Sequence, residues 1–281
     1  LNMGRKVIAV ELDPPQNGKG DKILQAAALL KQAGVDMITF SDSPMGKMRA
    51  DSIASSILVS QQTDIAVMPH ICCRDRNAIA MGGLFFGAHM NGIRNMLVIT
   101  GDPVPAGEKS STGSVYDFNS FRLMNYFKQL NLEYFAEDPV IYGGALNHNR
   151  PNLDVEIERM HKKCLAGADY FLTQPVYSDD DVERIKYVKS KVNTKILCGI
   201  MPLVNYRNAM FVKNELSGIQ VPDEIITRYD EHMSREESEE TGIAIALEII
   251  AKLRETADGY YFMVPFNRAS MICKIIEMMR W

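Results

Sequence analysis

Apolar residues in this chain fall into two alternating kinds of segment. Short runs with little polar interruption, at residues 6–10, 37–40, 65–68, 96–100, 140–142, 170–173, 196–200 and 259–264, predict strands covered on both faces. Between them apolar positions recur every three or four residues, which predicts amphipathic helices at 21–32, 50–60, 77–90, 117–130, 153–165, 179–189, 243–253 and from about 268. In the first helix the inward stripe is Ile23, Leu24, Ala27 and Leu30, with Gly34 as its stop. In the fifth it is Ile157, Met160 and Cys164. Three aspartates at 179–181 suit the positive end of the sixth helix dipole. After the seventh strand comes an insertion whose charged run, 235–240, reads as a solvated helix face.

The first strand ends fall near Glu11, Ser41, His70 and Thr100, roughly thirty residues apart, the length of one strand–helix unit. Eight strands each followed by a helix predict a (β/α)8 TIM barrel, an α/β fold, with a doubly wound sheet as the lesser option. No linker or low-complexity stretch divides residues 1–281, so a single domain is expected. The clearest strand is Asn95-Met-Leu-Val-Ile-Thr-Gly-Asp-Pro103, which stops where Gly101 permits an unusual turn and Pro103 cannot continue the ladder. Strands at 65–68 and 170–173 are likewise expected to end at Pro69 and before Pro175.

Composition narrows the class. The 281 residues are 46% hydrophobic and 23% charged, with net charge −4, so nothing draws the chain to nucleic acid or to an anionic membrane. Its longest uncharged run, 78–93, is too short to span a bilayer and reads as a buried helix. Five cysteines form no CxxC pair, and the odd count fits a reducing cytoplasm. His70 and Cys72 share a strand face, but two ligands are too few for zinc, and no metal is expected. No signal peptide opens the chain. It does not begin with Met and reads as a piece of a longer product or as carrying a cloning remnant.

A barrel gathers its chemistry where strands end. That edge is expected to carry Glu11, Ser41, Asp42, His70, Asp102, Asn147 and Gln174, with two carboxylates and an amide (Glu11, Asp102, Gln174) converging on one mouth. Charge collected around an apolar mouth is costly unless used. The loop at 104–114, rich in Gly, Ser and Thr, reads as mobile and functional. There is no GxGxxG after a strand, no Walker loop, no GxSxG, no Gly-rich phosphate turn after strand seven and no strand-end lysine for a Schiff base.

Five motifs occur in order: Val10-Glu-Leu-Asp-Pro-Pro15, Pro69-His-Ile-Cys-Cys-Arg-Asp75, Thr100-Gly-Asp-Pro103, Ala166-Gly-Ala-Asp-Tyr-Phe-Leu-Thr-Gln-Pro175 and Phe266-Asn-Arg268. Together they resemble the methylenetetrahydrofolate reductase family across nearly the whole chain. Asp42-Ser43-Pro44 and Ala145-Leu146-Asn147 are similar to the reductase half of bifunctional proteins that also carry a homocysteine methyltransferase. The resemblance implies a non-covalent FAD in the mouth, reduced by NADH or NADPH, which then gives way to 5,10-methylenetetrahydrofolate on the same flavin face. It implies that Glu11 is the general acid opening the folate imidazolidine ring, whose iminium carbon takes hydride from flavin N5 to give 5-methyltetrahydrofolate. Asp102 matches the aspartate near flavin and pterin, Gln174 the glutamine beside substrate, Tyr206 the aromatic stacking on nicotinamide or folate, and Arg268 the arginine near the glutamyl tail. Ser41, His70, Thr100, Gly101, Asp102, Ala145, Asn147, Glu156 and Lys163 match flavin-contacting positions, Lys163 toward phosphate. Departures are Thr100 where many members have arginine, Ser41-Asp42 for Thr-Tyr, and Tyr206 for Phe. Burial of Glu11 beside Asp102 is expected to raise its pKa. A cytoplasmic homo-oligomer, fused to or associated with a methyltransferase or electron-transfer subunit, is the expected setting. The rival readings are a folate-binding barrel whose electron transfer needs a partner protein, and a pterin-dependent methyltransferase barrel.

Overall fold

A computed structural model describes residues 5–108, 111–216 and 218–279. Eight parallel strands close into a barrel in chain order, with β8 pairing back to β1. The strands are β1 (Val7–Leu12), β2 (Met37–Phe40), β3 (Ala66–Cys72), β4 (Asn95–Ile99), β5 (Ile141–Leu146), β6 (Tyr170–Pro175), β7 (Lys195–Ile200) and β8 (Gly259–Met263). Helices α1 (Asp21–Gln32), α2 (Ser52–Thr63), α3 (Ala78–Met90), α4 (Ser120–Tyr134), α5 (Leu153–Leu165) and α6 (Asp179–Lys191) follow the first six strands. The insertion after β7 folds as α7 (Tyr206–Glu215) and the single turn α8 (Asp223–Ile226), and α9 (Arg235–Leu253) leads into β8. The charged run at 235–240 is the start of α9, capped by Ser234, whose hydroxyl accepts from Glu237 N–H. Helix α10 (Ala269–Met278) closes the ring beside α1.

The strand alternation hidden in uniformly apolar runs resolves into two cores. Val10, Leu12, Ile38, Phe40, Val98, Phe171 and Phe262 face outward under the helices. Ala9, Met68, Leu97, Tyr170, Leu172, Leu197 and Tyr261 fill the barrel's interior. Tyr170 spans that interior, its hydroxyl donating to the Met96 carbonyl at 2.7 Å. Room for its ring comes from Gly143 on β5, where any side chain would overlap Tyr170.

Four strands run further than the sequence suggests, β1 by Glu11 and Leu12. β3 continues through Pro69, which pairs with Phe40, because a single proline forfeits one ladder bond and the strand is held on both sides. β6 likewise reaches Pro175 by way of a register shift between Leu172 and Pro175. β5 takes in Gly143, Gly144 and Ala145, weak strand formers retained by neighbours on both sides. Helix α3, expected to be buried all round, buries Met81, Phe85 and Ala88 but leaves Ile79 and Met90 exposed. Among the described residues no helix is long and apolar enough to cross a membrane. In the loop expected to be functional, 109 and 110 lie outside the described residues, as do 1–4 at the start.

Helix α9 crosses the loop after β7 so closely that a methyl group on Gly242 would overlap the Leu203 carbonyl oxygen and Met271 Cε. Gly242→Ala is therefore expected to lower stability by about 1–3 kcal/mol despite alanine's better helix propensity, read as a lower urea midpoint. An unchanged or raised midpoint would show that the two elements separate freely.

Candidate active site

All the strand-end residues singled out from sequence lie at the carboxyl-terminal end of the barrel. Glu11 sits in β1 opposite Thr39 of β2 and Met263 of β8. Its side chain is 21% exposed. Tyr261, one layer lower on β8 and level with Ala9, donates its hydroxyl to Glu11 Oε2. His70 of β3 is buried, with Nε2 at 3.6 Å from the same oxygen. The Tyr261 and His70 rings are 6.4 Å apart.

Burial sets the charge of this cluster. Burial first and the nearby Asp13 carboxylate second, opposed by the Tyr261 hydroxyl, raise the Glu11 carboxyl from 4.5 to about 7. Burial drives the His70 imidazole down to about 3, so it is neutral at physiological pH and forms no ion pair with Glu11. Tyr261 is pushed well above 10 by burial and by Glu11, so its phenol keeps its proton. His70 Nε2 is buried with no hydrogen-bond partner.

The carboxylate beside Glu11 is Asp13 and not Asp102. Asp13 follows directly on β1, two residues past Glu11. Asp13 Oδ1 accepts from the Ser41 hydroxyl at 2.6 Å, and Arg49 lies 3.8 Å from its other oxygen. Asp102 is exposed on the rim after β4, and its Oδ2 accepts the Met45 N–H at 2.6 Å. That contact requires the left-handed backbone of Ser43 and Met45 in the loop after β2. Gly101, at φ +88°, turns the chain against Cys72, whose Cβ a methyl group there would meet at 2.9 Å. Thr100 is exposed beside it.

Beneath this rim lies Arg74, 2% exposed. Its guanidinium is fully engaged: Nε and Nη2 grip Asp75 at 2.6 and 2.7 Å, Nη1 reaches the Asp102 carbonyl at 2.7 Å, and Nη2 the Ser43 carbonyl at 3.3 Å. Arg76 pairs with Asp42, which also accepts the Cys72 N–H. Asp42, Cys72 and Asp75 come close enough to hold a cation, but both carboxylates are occupied by these arginines.

On the β5–β6 side, Ala145 and Gln174 are half-buried. Glu156 is buried, accepting from Asn147 N–H at 3.2 Å and Arg150 Nε at 2.7 Å. Lys163 is buried too, and its Nζ donates to the Ala145 carbonyl at 2.8 Å. These two shape the β5 loop from behind. Tyr206 and Arg268, far apart in sequence, together line a cavity of about 350 Å³ with Arg207, Asp230, Arg235 and Ser238. Arg268 Nη1 is 3.9 Å from Glu239 and has no hydrogen-bond partner.

Tyr261, Asp13, Thr39 and Arg74 were not singled out from sequence. The period-two rule, applied from Gly259 through Met263, places Tyr261 inward; uniform apolarity masked that parity. Arg74 stands inside a recognised motif, yet nothing local to the sequence says that an arginine is fully buried.

Relatives share this architecture. A Clostridium thermocellum protein described as binding two copies of 5-methyl-5,6,7,8-tetrahydrofolic acid superposes with TM-score 0.66 at 17% identity, covering 99% of this chain and 98% of that one. A 2,3-dimethylmalate lyase of the PEP mutase/isocitrate lyase superfamily gives TM-score 0.54 at 12% identity over 99% of this chain and 79% of that one. At such identities the likeness concerns the fold alone. The 5,10-methylenetetrahydrofolate reductase of Escherichia coli K12 is 21% identical, over 95% of this chain and 88% of its own length. Methylenetetrahydrofolate reductase 2 of Schizosaccharomyces pombe is 24% identical over 74% of this chain, and the match spans only 34% of that protein. A probable methylenetetrahydrofolate reductase (NADPH) of Caenorhabditis elegans gives 24% identity, with 79% and 34% covered. The chain thus spans about a third of the length of these two eukaryotic relatives. Residues 1–280 match the family described as methylenetetrahydrofolate reductase, and the chain belongs to that family.

Proposed function

We propose that this barrel reduces 5,10-methylenetetrahydrofolate to 5-methyltetrahydrofolate by a ping-pong reaction, with FAD in its mouth and NAD(P)H as electron donor. The observation that carries the reading is Glu11: a carboxyl raised to about 7, held between a protonated phenol and a neutral imidazole at the floor of the mouth. Such a group still holds a proton near neutral pH and can deliver it to a ring nitrogen of the folate. The mouth also offers a polar ligand His70 Nε2, a buried polar atom without a hydrogen-bond partner.

FAD, when bound, supplies the hydride chemistry. The residues proposed to hold it are Ser41, His70, Thr100, Gly101, Asp102, Ala145 and Asn147. Glu156 and Lys163 act by fixing the β5 backbone they bind. Gln174 and Asp102 position the pterin, Tyr206 stacks on nicotinamide or folate, and Arg268 meets a folate carboxylate in the cavity they share.

The test is spectroscopic. Protein reconstituted with FAD is expected to show a flavin spectrum that NADH or NADPH bleaches and methylenetetrahydrofolate restores, in the absence of oxygen. Protein that takes up no FAD overturns the proposal. The Clostridium neighbour's two folates favour one other reading, a folate-binding barrel that needs a partner for electron transfer. It predicts tetrahydrofolate binding with no NAD(P)H oxidation until that partner is added.

A further inference from the structure

We infer that Tyr261 is the positioning residue for Glu11: its hydroxyl, rising from the layer below, pins Oε2 and leaves Oε1 as the oxygen that meets the ligand. The inference rests on the reading of Glu11 as proton donor. Its basis is geometric. Tyr261 is buried among Ala9, Met68, Leu97 and Leu197, so its ring has little freedom to move. From that fixed base its hydroxyl contacts Glu11 Oε2. His70 Nε2 approaches the same oxygen at 3.6 Å, beyond hydrogen-bond length. Among the described residues no hydrogen-bond donor reaches Oε1.

The other polar groups around Glu11 do not substitute for this contact. Asp13 is a carboxylate just past the end of β1, already engaged by Ser41 and faced by Arg49. Thr39 stands opposite on β2, and its hydroxyl faces the Tyr261 phenol rather than Glu11. His70 is neutral. A donor fixed on one oxygen does two things: it stabilises the ionised carboxyl, and it determines which oxygen carries the transferable proton. A general acid whose reacting oxygen wanders loses rate steeply with small displacements.

The experiment titrates Glu11 in ligand-free protein by the infrared carbonyl band of its protonated carboxyl, assigned by difference against Glu11→Gln. In Tyr261→Phe the midpoint is expected to rise by about one pH unit, because the carboxylate loses a charge-assisted hydrogen bond. The pH profile of the folate half-reaction should move with it, and its rate should fall roughly tenfold. A residue that only fills space would leave the midpoint and the profile in place, and that result overturns the inference. Should Tyr261→Phe fail to fold, replacing all 11 tyrosines with 3,5-difluorotyrosine keeps the shape and strengthens the donor. The midpoint is then expected to fall, and an unmoved midpoint again overturns the assignment. Failure of the wider reading looks different: a Glu11→Gln protein that runs the folate half-reaction at full speed removes the proton-donor role, whatever the titration shows.

Discussion

Glu11→Gln is expected to slow the folate half-reaction by about a hundred- to ten-thousandfold, while reduction of bound FAD by NADH or NADPH continues near its original rate. Hydride transfer from nicotinamide to flavin needs no proton from the protein, whereas opening the folate ring leaves a nitrogen that must be protonated. Glutamine preserves the shape of Glu11 and its acceptor for Tyr261 but has no acidic proton. Anaerobic stopped-flow of the two half-reactions separates them. Equal losses in both would assign Glu11 to holding the flavin and not to acid catalysis.

The same substitution carries a thermodynamic signature. Folding raises the Glu11 carboxyl from 4.5 to about 7, so between those values the native protein retains a proton that the unfolded chain has released. The contribution of this group is intact at low pH and is lost as pH rises through about 7, a penalty on the order of 3 kcal/mol once both states are ionised. Glutamine never ionises. Glu11→Gln should therefore be more stable than its parent at about pH 9 and no more stable at about pH 4, as measured by urea midpoints.

Arg74→Met is expected to cost about 3 kcal/mol of stability. Methionine fills much of the volume, but it strands the Asp75 carboxylate and the carbonyls of Ser43 and Asp102. Asp75 is 36% exposed, so water recovers part of its loss and holds the cost near the lower end for a broken buried pair. The damage should spread to the rim, because one guanidinium ties the loop after β2 and the turn after β4 to the end of β3. Arg74→Lys should recover little, since an ammonium cannot reproduce a planar fork bonded to three partners. Full recovery by lysine would mean that charge alone holds this corner.

Much of the barrel was legible from residue pattern. The helix of each β/α unit announced itself by its spacing and each strand by its run, because such a unit imposes both signals at every repeat, whereas α7 and α8 in the insertion after β7 were not foreseen. What escaped has identifiable causes. Proline at 69 and 175 and the glycine pair at 143–144 argue locally against strand, and pairing on both flanks overrides them. The cluster of Glu11 and His70 at the strand ends was legible. Its electrostatics were not, because the partner of Glu11 depends on where the chain past β1 takes Asp13 and on where the loop after β2 draws Asp102. Tyr261 was hidden among apolar neighbours on both sides of it, and an arginine as enclosed as Arg74 declares itself only once three loops converge on it.

Tyr170, Leu172 and Leu197 pack inside the barrel beneath Glu11, and the cavity of about 340 Å³ that Tyr170 and Leu197 line opens among the strand starts, at the end opposite the mouth. A chamber with one doorway admits no through traffic: a reactant that enters must back out before the next can take its place. Under the proposed reaction, two bulky substrates that share one flavin face would then have to enter and leave by the same opening in turn.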